Sequence, residues 1–270
     1  KLAEGGFGIT YLAEDARGVR YVIKEHFPAW FAVRNKKSAR VVPLKEHIQQ
    51  YEWSLASFLQ EASQLSVLNH PNIVRLVDAF EENGTAYYVM PYVESSSMQQ
   101  LCDEGPRGNR KLVLYLTAAL LDTLAYLHKH NLLHRDIKPE NILIAPSGRP
   151  VLIDFGAARK MDTDTHTRMV SPSFSPIEQQ RGEQEGPWTD IYALGSTLHL
   201  LITGEHVPML ALRGDGRDTY QPLVDKPELV RIFGREYLSA LDHALAYNPE
   251  ERCRSAAERI CWSAYIFRFR

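Results

Sequence analysis

The chain has 270 residues, 44% hydrophobic and 24% charged, which is enough apolar material for one or two buried cores and too much for intrinsic disorder. A formal net charge of −2 and a pI near 6.6 give no general attraction for nucleic acid or anionic membrane, so neither is expected as a partner. Cys102, Cys253 and Cys261 have neither zinc-site spacing nor the even count of a disulfide framework, which points to a reducing compartment such as the cytoplasm.

Ala3-Glu4-Gly5-Gly6-Phe7-Gly8-Ile9-Thr10-Tyr11-Leu12-Ala13 reads as strand, glycine turn, strand, followed by a hairpin at Ala16-Arg17-Gly18 and a strand from Val19 to Lys24. Because Lys1 and Leu2 abut the glycine cluster, the chain is expected to start inside an element, as a piece of a longer protein. Glycines without a Cβ let backbone N–H groups approach phosphate oxygens, although the same composition also serves ordinary turns. Tyr21-Val22-Ile23-Lys24-Glu25 alternates as a strand and delivers one lysine, by default a solvent-facing one. His26 to Tyr51 is a long connection carrying Phe27-Pro28, Trp30-Phe31 and the basic cluster Arg34, Lys36, Lys37 and Arg40. A solvated hairpin is expected there, with docking to an acidic partner as the alternative. From Leu55 the apolar positions Phe58, Leu59, Ala62, Leu65 and Leu68 recur at helical spacing up to Asn69-His70-Pro71, and Glu61 borders that face. Asn72 to Phe80 and Thr85 to Met90 read as strands around the turn Glu81 to Gly84, and Pro91-Tyr92-Val93-Glu94 follows.

Lys111 to Asn131 reads as an amphipathic helix. The longest apolar stretches, Leu112 to Leu121 and Ile191 to Ile202, fall short of a bilayer span, so no membrane segment is expected within the chain. Leu133-His134-Arg135-Asp136-Ile137-Lys138-Pro139-Glu140-Asn141 and, a short hairpin later, Asp154-Phe155-Gly156 bring three groups that phosphoryl transfer requires. These are a carboxylate to receive a hydroxyl proton, an amide oxygen, and a second carboxylate for a divalent cation. Ala157 to Phe174 is a polar segment with hydroxyls at Thr163, Thr165, Thr167, Ser171 and Ser173. A helix is expected from Trp188, a loop over Arg213 to Val224, and helices over Glu236 to Tyr247 and Ala256 to Phe267.

In order, and over nearly the whole chain, these stretches resemble the catalytic domain of eukaryotic-type Ser/Thr protein kinases, and the extended Glu25-His26-Phe27-Pro28 resembles bacterial members of that family. The resemblance implies an α+β, two-lobed protein kinase fold: a small antiparallel β-sheet lobe with one key helix over residues 1–90, a hinge over 91–95, and a larger, mostly helical lobe over 96–270. It implies transfer of the γ-phosphate of ATP to Ser/Thr hydroxyls of a protein substrate, with Mg²⁺ as the ion and Mn²⁺ as its substitute. Asp136 would orient the substrate hydroxyl and Lys138 would neutralise charge on the moving group. Lys24, partnered by Glu61, would hold the α- and β-phosphates, while Asn141 and Asp154 would ligate the metal. Leu2, Gly5, Gly6, Phe7, Gly8, Thr10, Val22, Met90, Pro91, Val93 and Leu143 would line the nucleotide. Thr167 is the implied regulatory phosphosite, with Thr165 and Ser171 nearby. Arg135 and Arg159 are the cations for that phosphate, which would be added in trans through a transient homodimer. His134 would pack against Phe155 instead of acting as a base or metal ligand, Asp190 would anchor the loop backbone, and Glu178 would pair with Arg252. The chain departs from the family pattern at Ala3, Thr10, Val22 and Pro91, and the first, second and last of these keep open a nucleotide-binding pseudokinase or scaffold. A small-molecule phosphotransferase is the other alternative, although that group usually lacks Lys138-Pro139-Glu140 and the long polar segment. A cytoplasmic location is implied, alone or as the cytoplasmic part of a membrane-anchored protein.

Overall fold

Strands rich in β-branched and aromatic residues, joined by turns with left-handed backbone, build the first part of the chain. The computed structural model describes residues 1–6, 8–105, 109–161, 171–213 and 218–256, and the chain divides into two units, Lys1–Glu94 and Ser95–Arg270. In the first unit β1 (Ala3–Glu4), β2 (Gly8–Glu14) and β3 (Arg20–His26) precede a small hairpin, β4 (Ala32–Arg34) and β5 (Val41–Pro43). Helix α1 (Ile48–Ser66), β6 (Asp78–Glu82) and β7 (Thr85–Pro91) complete it. The main sheet is antiparallel in the order β1-β2-β3-β7-β6. Asp15 accepts from the backbone N–H groups of Arg17 and Val19, both at 2.9 Å, and sets the β2–β3 turn. Asn83 and Gly84, at φ 53° and 73°, form the two-residue turn between β6 and β7, because only Asn and Gly adopt that backbone readily.

Helix α1 begins at Ile48, earlier than the apolar repeat from Leu55 suggests. It packs Phe58 and Ala62 on Ala86 and Tyr88 of β7, with the Phe58 and Tyr88 rings stacked at 4.8 Å. Its first turns join the hairpin in a second small core of Ala32, Val41 and Tyr51. The expected strand from Asn72 starts only at Asp78.

The second unit contains β8 (Ser96–Ser97), α2 (Met98–Glu104), α3 (Arg110–Lys129), β9 (Leu132–Leu133), β10 (Ile142–Ile144), β11 (Pro150–Leu152), β12 (Arg159–Lys160), α4 (Ile177–Arg181), α5 (Pro187–Thr203), α6 (Pro227–Phe233) and α7 (Arg235–Ala244). Sheet order is β11-β10-β8, with β12 paired to β9. Helix α5 is buried on nearly every side, as expected of a central core helix. Its Gly195 lies so close to α7 that an added Cβ would stand 3.3 Å from the Ala244 Cβ. Helix α3 is long and apolar enough to cross a membrane by length and composition, with a mean hydropathy of 1.2. Half of that window is buried, however, and Thr117 is hydrogen-bonded to Tyr237 of α7 at 2.9 Å, so α3 is a core helix of this unit. Cys102 is a buried free thiol. The helix expected over Ala256 to Phe267 lies outside the described residues beyond Ala256.

Candidate functional site

In the first unit the pairing β2–β3–β7 sets Lys24 between Thr10 and Tyr88. The Lys24 Nζ lies 3.4 Å from Glu61 Oε1, and Tyr88 donates to the same oxygen at 2.6 Å. Glu61 is buried while Lys24 is partly open, so the carboxylate is a fixed anchor and the ammonium is its exposed end. Tyr88, which sequence reasoning did not single out, makes this arrangement possible. Its ring packs on Phe58 and its hydroxyl orients the carboxylate.

Gly8 opens β2 directly beside β3, where an added Cβ would stand 2.7 Å from the Glu25 carbonyl oxygen, so no side chain fits there. Gly5 donates its N–H to the Gly8 carbonyl at 2.9 Å, closing the turn, and Phe7 is outside the described residues. Leu2 and Thr10 share a backbone hydrogen bond of 2.7 Å, Val22 pairs with Met90, and Pro91 ends β7 opposite Tyr21, where its missing N–H costs little. Val93 follows in the same unit, and Leu143 lies on β10 of the other.

The basic connection is less solvated than expected. Glu25 is buried and accepts from Tyr11 and Tyr87, each at 2.8 Å, and from Arg34 at 2.7 Å. Arg34 also covers the Phe27 ring. Burial together with the bond to Glu25 pushes the Tyr11 hydroxyl up to about 12. Lys36, Lys37 and Arg40 are the exposed members of the cluster.

In the second unit three side chains converge on Asp136. Lys138 donates to Oδ2 at 2.7 Å, Asn141 Nδ2 to the same oxygen at 2.8 Å, and the Ser171 hydroxyl to Oδ1 at 2.8 Å. Lys138 also donates to Ser171 at 3.1 Å. Asn141 spends its amide N–H groups on the Asp136 side chain and backbone carbonyl, so its side-chain oxygen is the acceptor that remains. The backbone bond from Ile153 N–H to Asn141 O, 2.9 Å, brings Asp154 to the strand end beside it, exposed and at φ 62°. One amide oxygen and one carboxylate are hard donors that suit Mg²⁺, which keeps water and phosphate oxygens in its shell. Among the described residues no group of three or more His, Cys, Asp or Glu could hold a metal by itself, so Asn141 and Asp154 fit an ion that arrives with its phosphates better than a resident metal.

Asp190 fixes this loop from beneath. It is fully buried and accepts from the backbone N–H groups of His134, 3.0 Å, and Arg135, 2.8 Å, and lies 3.0 Å from His128 Nε2. Burial alone would push its carboxyl up, but the His128 contact and the Arg135 N–H hold it below the usual carboxylate range. His134 packs edge-on against Phe155 at 4.7 Å, and both ring nitrogens face backbone: Nδ1 accepts from Asp136 N–H and Nε2 faces the Ile153 carbonyl. Burial lowers its pKa, so it is a neutral packing group and not a base. Glu178 pairs with Arg252 at 2.8 Å and accepts from Thr189 at 3.0 Å, joining α4, α5 and the last described segment. Thr165 and Thr167 lie outside the described residues, and Arg159 is described only as backbone in β12. Arg135, expected to await a phosphate, is paired instead with Glu185 through two hydrogen bonds of 2.5 and 2.6 Å.

Residues 26–266 match the family model described as the protein kinase domain. The chain is 32% identical over 271 residues, 95% of its length, to "Probable serine/threonine-protein kinase SCO3848" of Streptomyces coelicolor. It is 40% identical over 151 residues, 54% of its length, to "Serine/threonine-protein kinase PrkC" of Bacillus subtilis. It spans 37% and 23% of those two relatives. A solved structure named "PpkA-294 apo form" superposes with a TM-score of 0.80 at 36% identity, covering 94% of this chain and 91% of that one.

Proposed function

This chain belongs to the protein kinase domain family, and from that premise we propose that it transfers the γ-phosphate of ATP to Ser/Thr hydroxyls of protein substrates. The observation that carries the reading is the convergence of Lys138, Asn141 and Ser171 on the Asp136 carboxylate. Those three donors hold the carboxylate in one orientation, ready to accept a hydrogen bond from an incoming hydroxyl and aim its oxygen at phosphorus. Lys138 stands beside Asp136 to offset negative charge on the group in flight, a task a fixed ammonium performs with no reorganisation. Lys24, steadied by Glu61 and Tyr88, grips the α- and β-phosphates. Asn141 and Asp154 would hold Mg²⁺, or Mn²⁺ in its place, which would offset the negative charge of the phosphates. Residues 1–90 form the nucleotide lobe, 91–95 the hinge and 96–270 the catalytic lobe in this reading. It also includes a cytoplasmic location, where ATP and protein substrates are available, and transient pairing of two copies for autophosphorylation.

Transfer from γ-labelled ATP to a generic basic protein, comparing the wild type with Asp136→Ala, tests the assignment. A loss of about 10²-fold or more in kcat is expected, since positioning and proton-accepting groups contribute at that scale, with label recovered on Ser and Thr. A mutant that retains most of the wild-type rate overturns the role of Asp136, and ATP binding without turnover by the wild type overturns the kinase reading.

A further inference from the structure

We propose that Glu185 is the built-in acidic partner of Arg135 and holds the Asp136 loop in its working shape without a phosphate on the activation segment. The inference rests on the kinase reading above and assigns a positioning residue to it. Arg135 precedes Asp136 directly and adopts φ 70°, a left-handed conformation that is unfavourable for a residue with a Cβ. Something must hold it there, and the fold does so at three points. The backbone N–H donates to buried Asp190 at 2.8 Å, the backbone carbonyl accepts from Gln179 Nε2 at 2.6 Å, and the guanidinium forks onto Glu185. The fork uses Nε and Nη2 against both carboxylate oxygens, the strongest geometry available to this pair of ions.

The Glu185 side chain is about as sheltered as its partner, with 15% of it exposed against 8% for Arg135, so water screens the pair poorly. Its backbone is equally constrained, because an added Cβ on Gly186 would stand 2.3 Å from the Trp188 indole and Pro187 starts α5. Glu185 therefore sits in a fixed turn between α4 and α5, outside the segment that carries Thr165 and Thr167. Its carboxylate offers the guanidinium what a phosphothreonine would offer, two charged oxygens in a plane.

The test uses the full chain stripped by a broad-specificity phosphatase, with phosphate removal checked by mass spectrometry, and reads kcat and KM for ATP. The stripped wild type is expected to keep its kcat within about twofold. Glu185→Ala is expected to lose about 10- to 100-fold in kcat, the scale of a misplaced reacting group, with KM for ATP nearly unchanged because Lys24 is untouched. Glu185→Gln keeps the volume and one acceptor and should lose less than Ala; it also carries the test if Ala fails to fold, as read by circular dichroism. A stripped wild type that loses most of its activity, or a folded Glu185→Ala or Glu185→Gln with wild-type kcat, overturns the inference while leaving the kinase reading intact. A wild type with no transfer before or after stripping overturns both.

Discussion

At the scale of single residues, fixed charge positions do the work. Lys24 is half of an arrangement whose other half, Glu61, is held in the core by Tyr88. A carboxylate buried beside apolar rings keeps its charge only with hydrogen-bond donors. Tyr88→Phe removes one of them and is expected to cost about 2 kcal/mol of stability, the typical value for a hydrogen bond to a charged group, read by urea titration. KM for ATP should rise more than kcat falls, because Lys24 loses its fixed anchor; an unchanged KM would remove Tyr88 from the site. Arg135 and Asp154 illustrate a second residue-scale device. Both sit at positive φ, 70° and 62°, next to the groups assigned to chemistry and metal, and such backbone persists only where surrounding bonds over-determine it.

Among the elements, the β4–β5 hairpin matters most for the first unit. It is attached to β3 through Arg34, whose guanidinium meets the buried Glu25 carboxylate next to Lys24. Arg34→Ala leaves that carboxylate with only its two tyrosine donors and is expected to cost about 3 kcal/mol. Lys36→Ala and Lys37→Ala, at exposed sites, should change stability by no more than about 0.5 kcal/mol. Equal effects in thermal melts of all three variants would show that the hairpin is the solvated loop its composition suggests. Helix α2 was missed in the apolar pattern because it is short, yet its start is written in Ser97 and Gln100, a capping box whose reciprocal bonds measure 3.2 and 2.8 Å.

Across the whole molecule, buried histidines couple stability to pH. Burial lowers His26 and His199 to about 4, and lowers His134 in the same direction. Each is neutral in the folded chain, whereas the unfolded chain takes up the proton near 6.5. The stabilisation is therefore fully present above pH 6.5 and is lost as pH falls toward 4, by up to about 1.4 kcal/mol per pH unit for each histidine. Asp190 and Asp218, held below 3.8, add their loss only at still lower pH. Urea midpoints should thus decline between pH 6.5 and pH 4, in a window set by histidine, and a flat profile there would contradict the burial of these rings.

The sequence alone determined the family, the order of the main elements and the identity of the groups assigned to chemistry, because Asp136, Lys138, Asn141 and Asp154 lie in two short stretches whose spacing is local. Tertiary structure decided what each charge faces. In the sequence Arg34 reads as one of a solvated basic cluster and Arg135 as a cation for a phosphate; folding gives one to buried Glu25 and the other to Glu185. Neither partner lies at helix or strand spacing from its arginine, so no periodicity announces the pair. Long-range pairing depends on which surfaces the packed elements bring together, and that is set by burial and backbone register, not by the residues adjacent along the chain.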